Sequence, residues 1–507
     1  MKPLLQLAPI FSDNMVIQRG SCIPVWGSMS SGMRIRVTIG ENSVSTTAVD
    51  GRWSVTLPPM SAGKPVEMKV EGGTASILLR NVLIGEVWIA GGQSNMEFAL
   101  KDSLGGEQEI SKSTNDQIRY FQVPKIAFEN DDTSMQPSGW HLCRPEHSGD
   151  FSAVAYYFAQ SLYHQLRVPV GIIGCNWGST SASCWMSRER LKNSAMLKSM
   201  LNVENSYPSS DEEYDRQLRD YETKASEYAR KAESLKKAFP NISLELMNEK
   251  LGPDPWPPPM GRKSFRRPGG LYETMLYSII PYAIKGVIWY QGEEDVSKAS
   301  LYSTLFQALI ENWRSDWKQP ELPFLFVQLP YFGDGISDEW AQLREAQMEV
   351  AESEHNTAMV VAIDCGEKHN IHPVNKKPVG NRLALAALAR VYGYEVEYSG
   401  PLYWHMTTDH GAAYLSFKHA QSGLIAEGNN LNGFEICGND HIFFSADASI
   451  EGQTVKVFSA AVPNPIAVRY GWMSYGQLHL KNAEGLPAAP FRTDRFHLEH
   501  CSNAKTL

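Results

Sequence analysis

A serine in a glycine-rich turn and a histidine in a distant polar loop are the residues of this 507-residue chain best suited to act together. The serine stands in Gly91-Gly92-Gln93-Ser94-Asn95-Met96, directly after the apolar run Val82-Leu83-Ile84-Gly85-Glu86-Val87-Trp88-Ile89-Ala90. A strand buried on both faces of a parallel sheet has that composition, and a side chain at its carboxyl end projects into the crevice where open α/β sheets bind ligands. The glycines allow a substrate close to the backbone, and the Ser94 N–H can point at a developing oxyanion. The spacing is not that of the G-x-S-x-G elbow, so a plain turn is the competing reading.

A serine hydroxyl needs a base before it is an effective nucleophile. Of thirteen histidines, His372 lies in Asp364-Cys365-Gly366-Glu367-Lys368-His369-Asn370-Ile371-His372-Pro373, a polar loop behind the apolar run at 359–363. That is a second strand end, from which an imidazole can reach a serine on the same sheet edge. His369 is the rival base, and a structural histidine is the bland alternative. Two more strand-end loops share this rim: Asn176-Trp177-Gly178-Ser179-Thr180 and Gln291-Gly292-Glu293-Glu294-Asp295. Gly178 can offer its backbone N–H and Gln291 its side-chain amide to an oxyanion. The three acids also permit a glycosidase pair or a metal site, although a single cluster lacks the separated second carboxylate that either chemistry needs.

The elements that must position these loops read as alternating helices and apolar strands: a helix at 151–166, then strands at 168–173, 283–290, 325–329 and 359–363. This is an α/β region with a mainly parallel sheet. Before it, residues 21–80 fall into short alternating stretches separated by Gly, Pro and Asp-Gly turns, which predicts a small β-sandwich. Residues 211–239 are dense in charge, with Tyr214, Leu218, Tyr221, Ala225, Tyr228, Ala232, Leu235 and Phe239 at helical spacing, so an amphipathic helix interrupts the alternation. Pro253, Pro255, Pro257, Pro258 and Pro259 then stiffen an extended loop carrying Trp256, a possible sugar-stacking surface with Arg266 and Arg267 close by in sequence. From about residue 398 strand-like runs return. The expected organisation is 1–80 as an N-terminal β-sandwich region, 81–396 as the α/β domain with an insertion at about 195–268, and 397–507 as a C-terminal β-rich domain.

A net charge of -9 argues against nucleic acid as a partner, since such a chain repels phosphate backbones. No apolar run approaches the length of a membrane span, so no membrane partner is expected. The seven cysteines, Cys22, Cys143, Cys175, Cys184, Cys365, Cys437 and Cys501, are scattered without a CxxC pair, which predicts free thiols rather than a disulfide framework or a zinc ribbon. Pro3 and Pro9 interrupt the short apolar start, so the chain as given has no secretory core and reads as cytoplasmic, or as secreted or periplasmic if a leader has been removed.

Several blocks together resemble the sialate O-acetylesterase family of SGNH-type hydrolases: Gly91-Gly92-Gln93-Ser94-Asn95-Met96-Glu97, Trp289-Tyr290-Gln291-Gly292-Glu293, Ile371-His372-Pro373, Phe11-Ser12-Asp13-Asn14-Met15 near the start and Leu343-Arg344-Glu345-Ala346-Gln347. The resemblance spans almost the whole chain. It implies a flavodoxin-like three-layer α/β/α domain flanked by β domains, no cofactor, no metal, and hydrolysis of acetyl esters on a sugar. Carried onto this sequence, Ser94 is the nucleophile, His372 the base, and Ser94, Gly178 and Gln291 the oxyanion contributors. The substrate implied is an O-acetylated carbohydrate, sialate first (at its 9-O position) and acetylated hemicellulose second. A non-catalytic sugar-binding protein is the third reading. The sequence departs from the family at Ser179, where a second Gly is usual, at Asp295, where Asn is common, and at Glu273, where Asn often follows Leu-Tyr. It also has His369 and Asn370 where an Asp often precedes the histidine. Asp364 and Glu293 are then the candidate orienting acids, and Trp256 and Arg267 the candidate substrate contacts.

Overall fold

Ala75–Gly92 forms one strand of 18 residues, here β1, which serves two sheets in turn. Its first residues alternate between exposed and covered and pair antiparallel with Val66–Gly72, whereas residues 82–92 are all buried. The change from alternating to continuous apolar sequence is therefore the change from a one-faced to a two-faced sheet within a single strand. The expected boundary between residues 80 and 81 falls inside it. The computed structural model describes residues 5–129, 131, 139–239, 242, 244–333, 338–426, 431–476 and 478–496.

The large sheet adds β2 (Asn115–Gln122), β3 (Trp140–Cys143), β4 (Val170–Asn176), β5 (Gly286–Tyr290), β6 (Phe324–Gln328) and β7 (Thr357–Val361). Their order is β3-β2-β4-β1-β5-β6-β7, parallel throughout except for β3 at the edge. Strands β4 to β7, rich in Val, Ile, Phe and Trp, are buried at every residue, as a sheet covered on both faces demands. The chain leaves β1 toward β4 on one side and returns to β5 on the other. That reversal puts the carboxyl end of β1, and Ser94 just beyond it, at the kind of position where open α/β sheets bind ligands.

Two pairs of helices cover the sheet. One pairs α2 (Ala153–Leu166) with α6 (Lys377–Arg390), the other α4 (Ala299–Asp316) with α5 (Glu339–Ser353). Helix α2 starts where Ser152 Oγ accepts the Ala155 N–H at 3.2 Å and ends at Arg167 in a left-handed conformation. Between α2 and α4, helix α3 (Asp211–Ala238) matches the amphipathic expectation, with Ser210 capping its first turn and three acids there to favour the dipole.

A three-stranded sheet of Gln6–Leu7, Ile23–Ser28 and Arg52–Leu57 lies N-terminal to β1. Its Val25 and Trp53 belong to the same buried cluster as Trp88, Trp289 and Trp313 of the α/β region, so these strands have no core of their own. The C-terminal strands instead enclose a second cluster around Leu415, Ile436, Val455, Val457 and Tyr470. No described helix is long and apolar enough to cross a membrane. Six cysteines are free, all buried except Cys22, and Cys501 and Pro3 lie outside the described residues.

Candidate active site

Strand β1 ends at Gly92, whose φ of +133° is costly for any residue with a Cβ, and a Cβ there would lie 2.1 Å from Tyr290 O. Glycine thus lets the turn lie against β5. The Gln93 N–H then donates to Tyr290 O at 3.0 Å, and Gln93 Oε1 accepts from the N–H groups of Gly292 and Glu294, lacing the serine turn to the loop after β5. Ser94 opens the short helix α1 (Ser94–Glu97), so its N–H has no carbonyl to pair with inside the helix. Ser94 is partly exposed, and its Oγ lies 2.8 Å from His372 Nε2.

The histidine loop leaves β7 through a tight turn at Ile363–Cys365. Asn370 Oδ1 accepts the His372 N–H at 3.0 Å, and Glu367 Oε1 accepts the Val374 N–H at 2.7 Å, so both sides of His372 are anchored through the backbone. Burial pulls the His372 pKa below its ordinary value, the Lys376 charge adds to this, and Glu97 opposes it. The imidazole is accordingly neutral, as a general base must be. His369 is exposed and is not the residue brought to Ser94.

Neither expected orienting acid is hydrogen-bonded to His372. Asp364 is held by Arg382 in a bidentate pair at 2.6 and 2.7 Å; burial works to raise its pKa, but the guanidinium outweighs this and keeps the carboxyl below its usual range. Glu293 Oε1 accepts from Asn95 Nδ2, and its buried Oε2 has no partner. Burial raises the Glu293 pKa.

Gly178 does reach the serine: a Cβ on it would stand 3.3 Å from Ser94 Cβ. Its N–H donates to Glu97 Oε2 at 2.6 Å, so a carboxylate occupies this donor. Ser179 sits at φ +61°, the left-handed region in which glycine costs least. Gln291 behaves differently from the expectation. It is fully buried, its Nε2 donates to Asp295 Oδ2 at 2.8 Å and Thr180 O at 3.2 Å, and its Oε1 accepts from Tyr302 at 2.9 Å. Buried Asp295 can only accept when ionised, so it fixes the amide away from the rim. Asp295 also accepts from Ser181 Oγ and the Ala182 N–H, bracing the loop that carries Gly178.

The neighbouring acids are likewise committed. Glu294 pairs with Arg266, and among the described residues no group of three or more His, Cys, Asp or Glu side chains is arranged to hold a metal ion. Arg267 pairs with Glu273 at 3.5 Å and donates to Ala127 O, which makes it a brace for its own loop. Exposed Trp256 lies over the Arg266 guanidinium at 4.7 Å. Closer in sequence to Gly178, Trp177 stacks on Phe265 with centroids 4.7 Å apart, and Lys125 sits 5.3 Å above the Trp177 ring while pairing with Glu97. Asn95, Glu97, Lys125 and Lys376 also meet around this pair, and the sequence pattern does not single them out. Asn95 and Glu97 stood inside the serine block, but nothing in their spacing revealed partners 198 and 28 residues away.

Comparisons with known proteins find carbohydrate esterases. Residues 260–389, which include His372, match the family model described as carbohydrate esterase, sialic acid-specific acetylesterase. The mouse sialate O-acetylesterase is 28% identical over 96% of this chain and 94% of its own length, and the human one 26% identical over 96% and 92%. The crystal structure of a carbohydrate acetylesterase from Xanthomonas citri superposes with a TM-score of 0.79 and 32% identity, covering 97% of this chain and 100% of that one. With that identity across the full length of a solved relative, the chain belongs to the sialate O-acetylesterase family of carbohydrate esterases and is a carboxylic ester hydrolase.

Proposed function

We propose that the protein is a serine esterase that removes acetyl groups from carbohydrate hydroxyls through an acetyl-enzyme on Ser94. The observation that carries this reading is the 2.8 Å contact between Ser94 Oγ and His372 Nε2. As Ser94 Oγ attacks the acetyl carbonyl carbon, its proton passes to His372 Nε2. The tetrahedral oxyanion is received by the N–H groups of Ser94 and Gly178, the latter once Glu97 has turned toward Lys125. The C–O bond to the sugar then breaks, and His372 returns the proton to the departing sugar oxygen. A water deprotonated by His372 attacks the acetyl-serine, and acetate leaves as Ser94 regains its proton. Ser94 and His372 act as a dyad in this scheme.

The strand order β4-β1-β5-β6-β7 and the two helix pairs support a flavodoxin-like three-layer reading of the catalytic region, flanked by β-sandwich-like regions at either end. On the substrate, the family model and the mammalian relatives support an O-acetylated sialate, and we take the 9-O position as the first to test. The Xanthomonas citri relative, named only as a carbohydrate acetylesterase, keeps acetylated xylan, mannan or xyloglucan as the second reading. Measuring acetate released from 9-O-acetylated sialic acid and from acetylated hemicellulose decides between them. Faster release from sialate supports the first reading, and release from hemicellulose alone replaces it.

A further inference from the structure

Asn95 follows Ser94 in the chain and is fully buried. Its Nδ2 donates to Ile371 O at 2.9 Å and to Glu293 Oε1, while its Oδ1 accepts from Lys376 Nζ. These partners permit only one orientation of the amide. The Ile371 carbonyl only accepts at any pH, and Lys376 when charged only donates, so a reversed amide would set its oxygen against that carbonyl and its NH2 against a cation. Lys376 is 1% exposed and lies against the rings of Phe98 and Tyr290 at 4.8 and 5.4 Å, so it has little freedom to move away.

Ile371 immediately precedes His372. The chain from Ser94 to Asn95, the hydrogen bond from Asn95 to Ile371 O, the chain from Ile371 to His372 and the contact from His372 to Ser94 therefore close a ring of four links. Among the described residues no carboxylate is hydrogen-bonded to His372, so the placement of the imidazole falls to its backbone anchors. Asn370 holds the His372 N–H, and Asn95 holds the carbonyl just before it.

We propose that Asn95 is a positioning residue whose bond to Ile371 O sets His372 at reacting distance from Ser94, and that Lys376 and Glu293 hold its amide in the one orientation that makes that bond. This rests on the reading of Ser94 and His372 as the reacting pair. A misplacement of about 1 Å between reacting groups can cost roughly 100-fold in rate.

The test uses Asn95→Asp alone and combined with Glu293→Gln in the full-length chain. The single variant sets a carboxylate against both Glu293 and Ile371 O. The double variant exchanges donor and acceptor between positions 95 and 293, keeps the total charge, and leaves only Ile371 O facing the wrong group. With 4-nitrophenyl acetate, Asn95→Asp is expected to lose roughly 100-fold in kcat with KM changed little. The double variant is expected to recover the melting temperature while kcat stays at least about tenfold down, because the tie to Ile371 is still broken. If kcat and melting temperature return together to wild-type values, the bond to Ile371 is only structural and the proposal is overturned. Should both aspartate variants fail to fold, Asn95→Ser removes the bond without adding charge, and a wild-type kcat there overturns the proposal equally. Ser94→Ala is run in parallel: activity surviving in it means that the reading of the pair has failed, whereas an inactive Ser94→Ala beside a fully recovered double variant means that only the role of Asn95 has failed.

Discussion

Gly178 N–H and Glu97 Oε2 are hydrogen-bonded at 2.6 Å, on a glycine whose added Cβ would stand 3.3 Å from Ser94 Cβ. A carboxylate therefore holds the donor that the proposed oxyanion needs. A bond to a charged acceptor is stronger than one to a neutral amide by about 1 kcal/mol, so Glu97→Gln should release the donor more easily. The expected outcome is a kcat/KM for 4-nitrophenyl acetate roughly fivefold above wild type at pH 8, where His372 is neutral in both proteins. A fall in kcat/KM at that pH would show that the carboxylate charge is needed in the reaction.

The pH profile follows from the surroundings of His372. Burial, followed by Lys376, lowers its pKa, and Glu97 acts against them. The base works when neutral, so kcat/KM should be constant at neutral pH and fall only as the pH drops through a value below about 6.5. Lys376 has its own pKa pushed down to about 7 by burial, so it carries charge in the acidic range where His372 titrates. Lys376→Met removes that charge and should shift the acid limb to higher pH, whereas Glu97→Gln should shift it to lower pH. Profiles of the three proteins measured side by side check both signs.

Asp364 should matter for stability rather than catalysis. Asp364→Asn leaves the Arg382 guanidinium, 8% exposed, without its counter-charge. Loss of one partner from a largely covered pair costs about 2–4 kcal/mol, here nearer the lower figure because the Asp364 side chain keeps 22% of its exposure. Urea unfolding should show that loss at pH 7, with kcat at 25 °C within about twofold of wild type. Because the folded carboxyl titrates below its usual range, the contribution is present at neutral pH and disappears as the pH falls through that depressed value. The gap between the two proteins should therefore narrow under strongly acidic conditions. A large kcat loss in a stably folded Asp364→Asn protein would restore Asp364 as the orienting acid.

The parts of the fold carried by continuous apolar runs were legible in the sequence. Strands β4 to β7 lie within two or three residues of their expected positions, because Val, Ile and aromatic runs bounded by polar loops fit only a two-faced strand. Strand β2 was not anticipated: Asn115, Asp116 and Gln117 open it with polar residues, and its place near the sheet edge demands no continuous apolar sequence. Ser94, His372 and Gly178 could be assigned to one rim because each follows a strand, and strand ends in a parallel sheet converge. Gln291 follows a strand too, yet Asp295 turns its amide inward, and a contact four residues along a loop has no periodicity to reveal it. Asn95 was hidden for a related reason: its three side-chain partners, Glu293, Ile371 and Lys376, lie on segments that meet only after folding.

Catalysis as proposed depends above all on an acetyl group passing through Ser94. Rapid quenching during turnover of 4-nitrophenyl acetate, followed by mass mapping of the peptides, tests it directly. One acetyl group is expected on the peptide containing Ser94, present during turnover, gone after substrate is exhausted, and absent together with turnover in Ser94→Ala. Undiminished turnover by Ser94→Ala, or acetyl transfer to a different residue whose replacement abolishes activity, would contradict it.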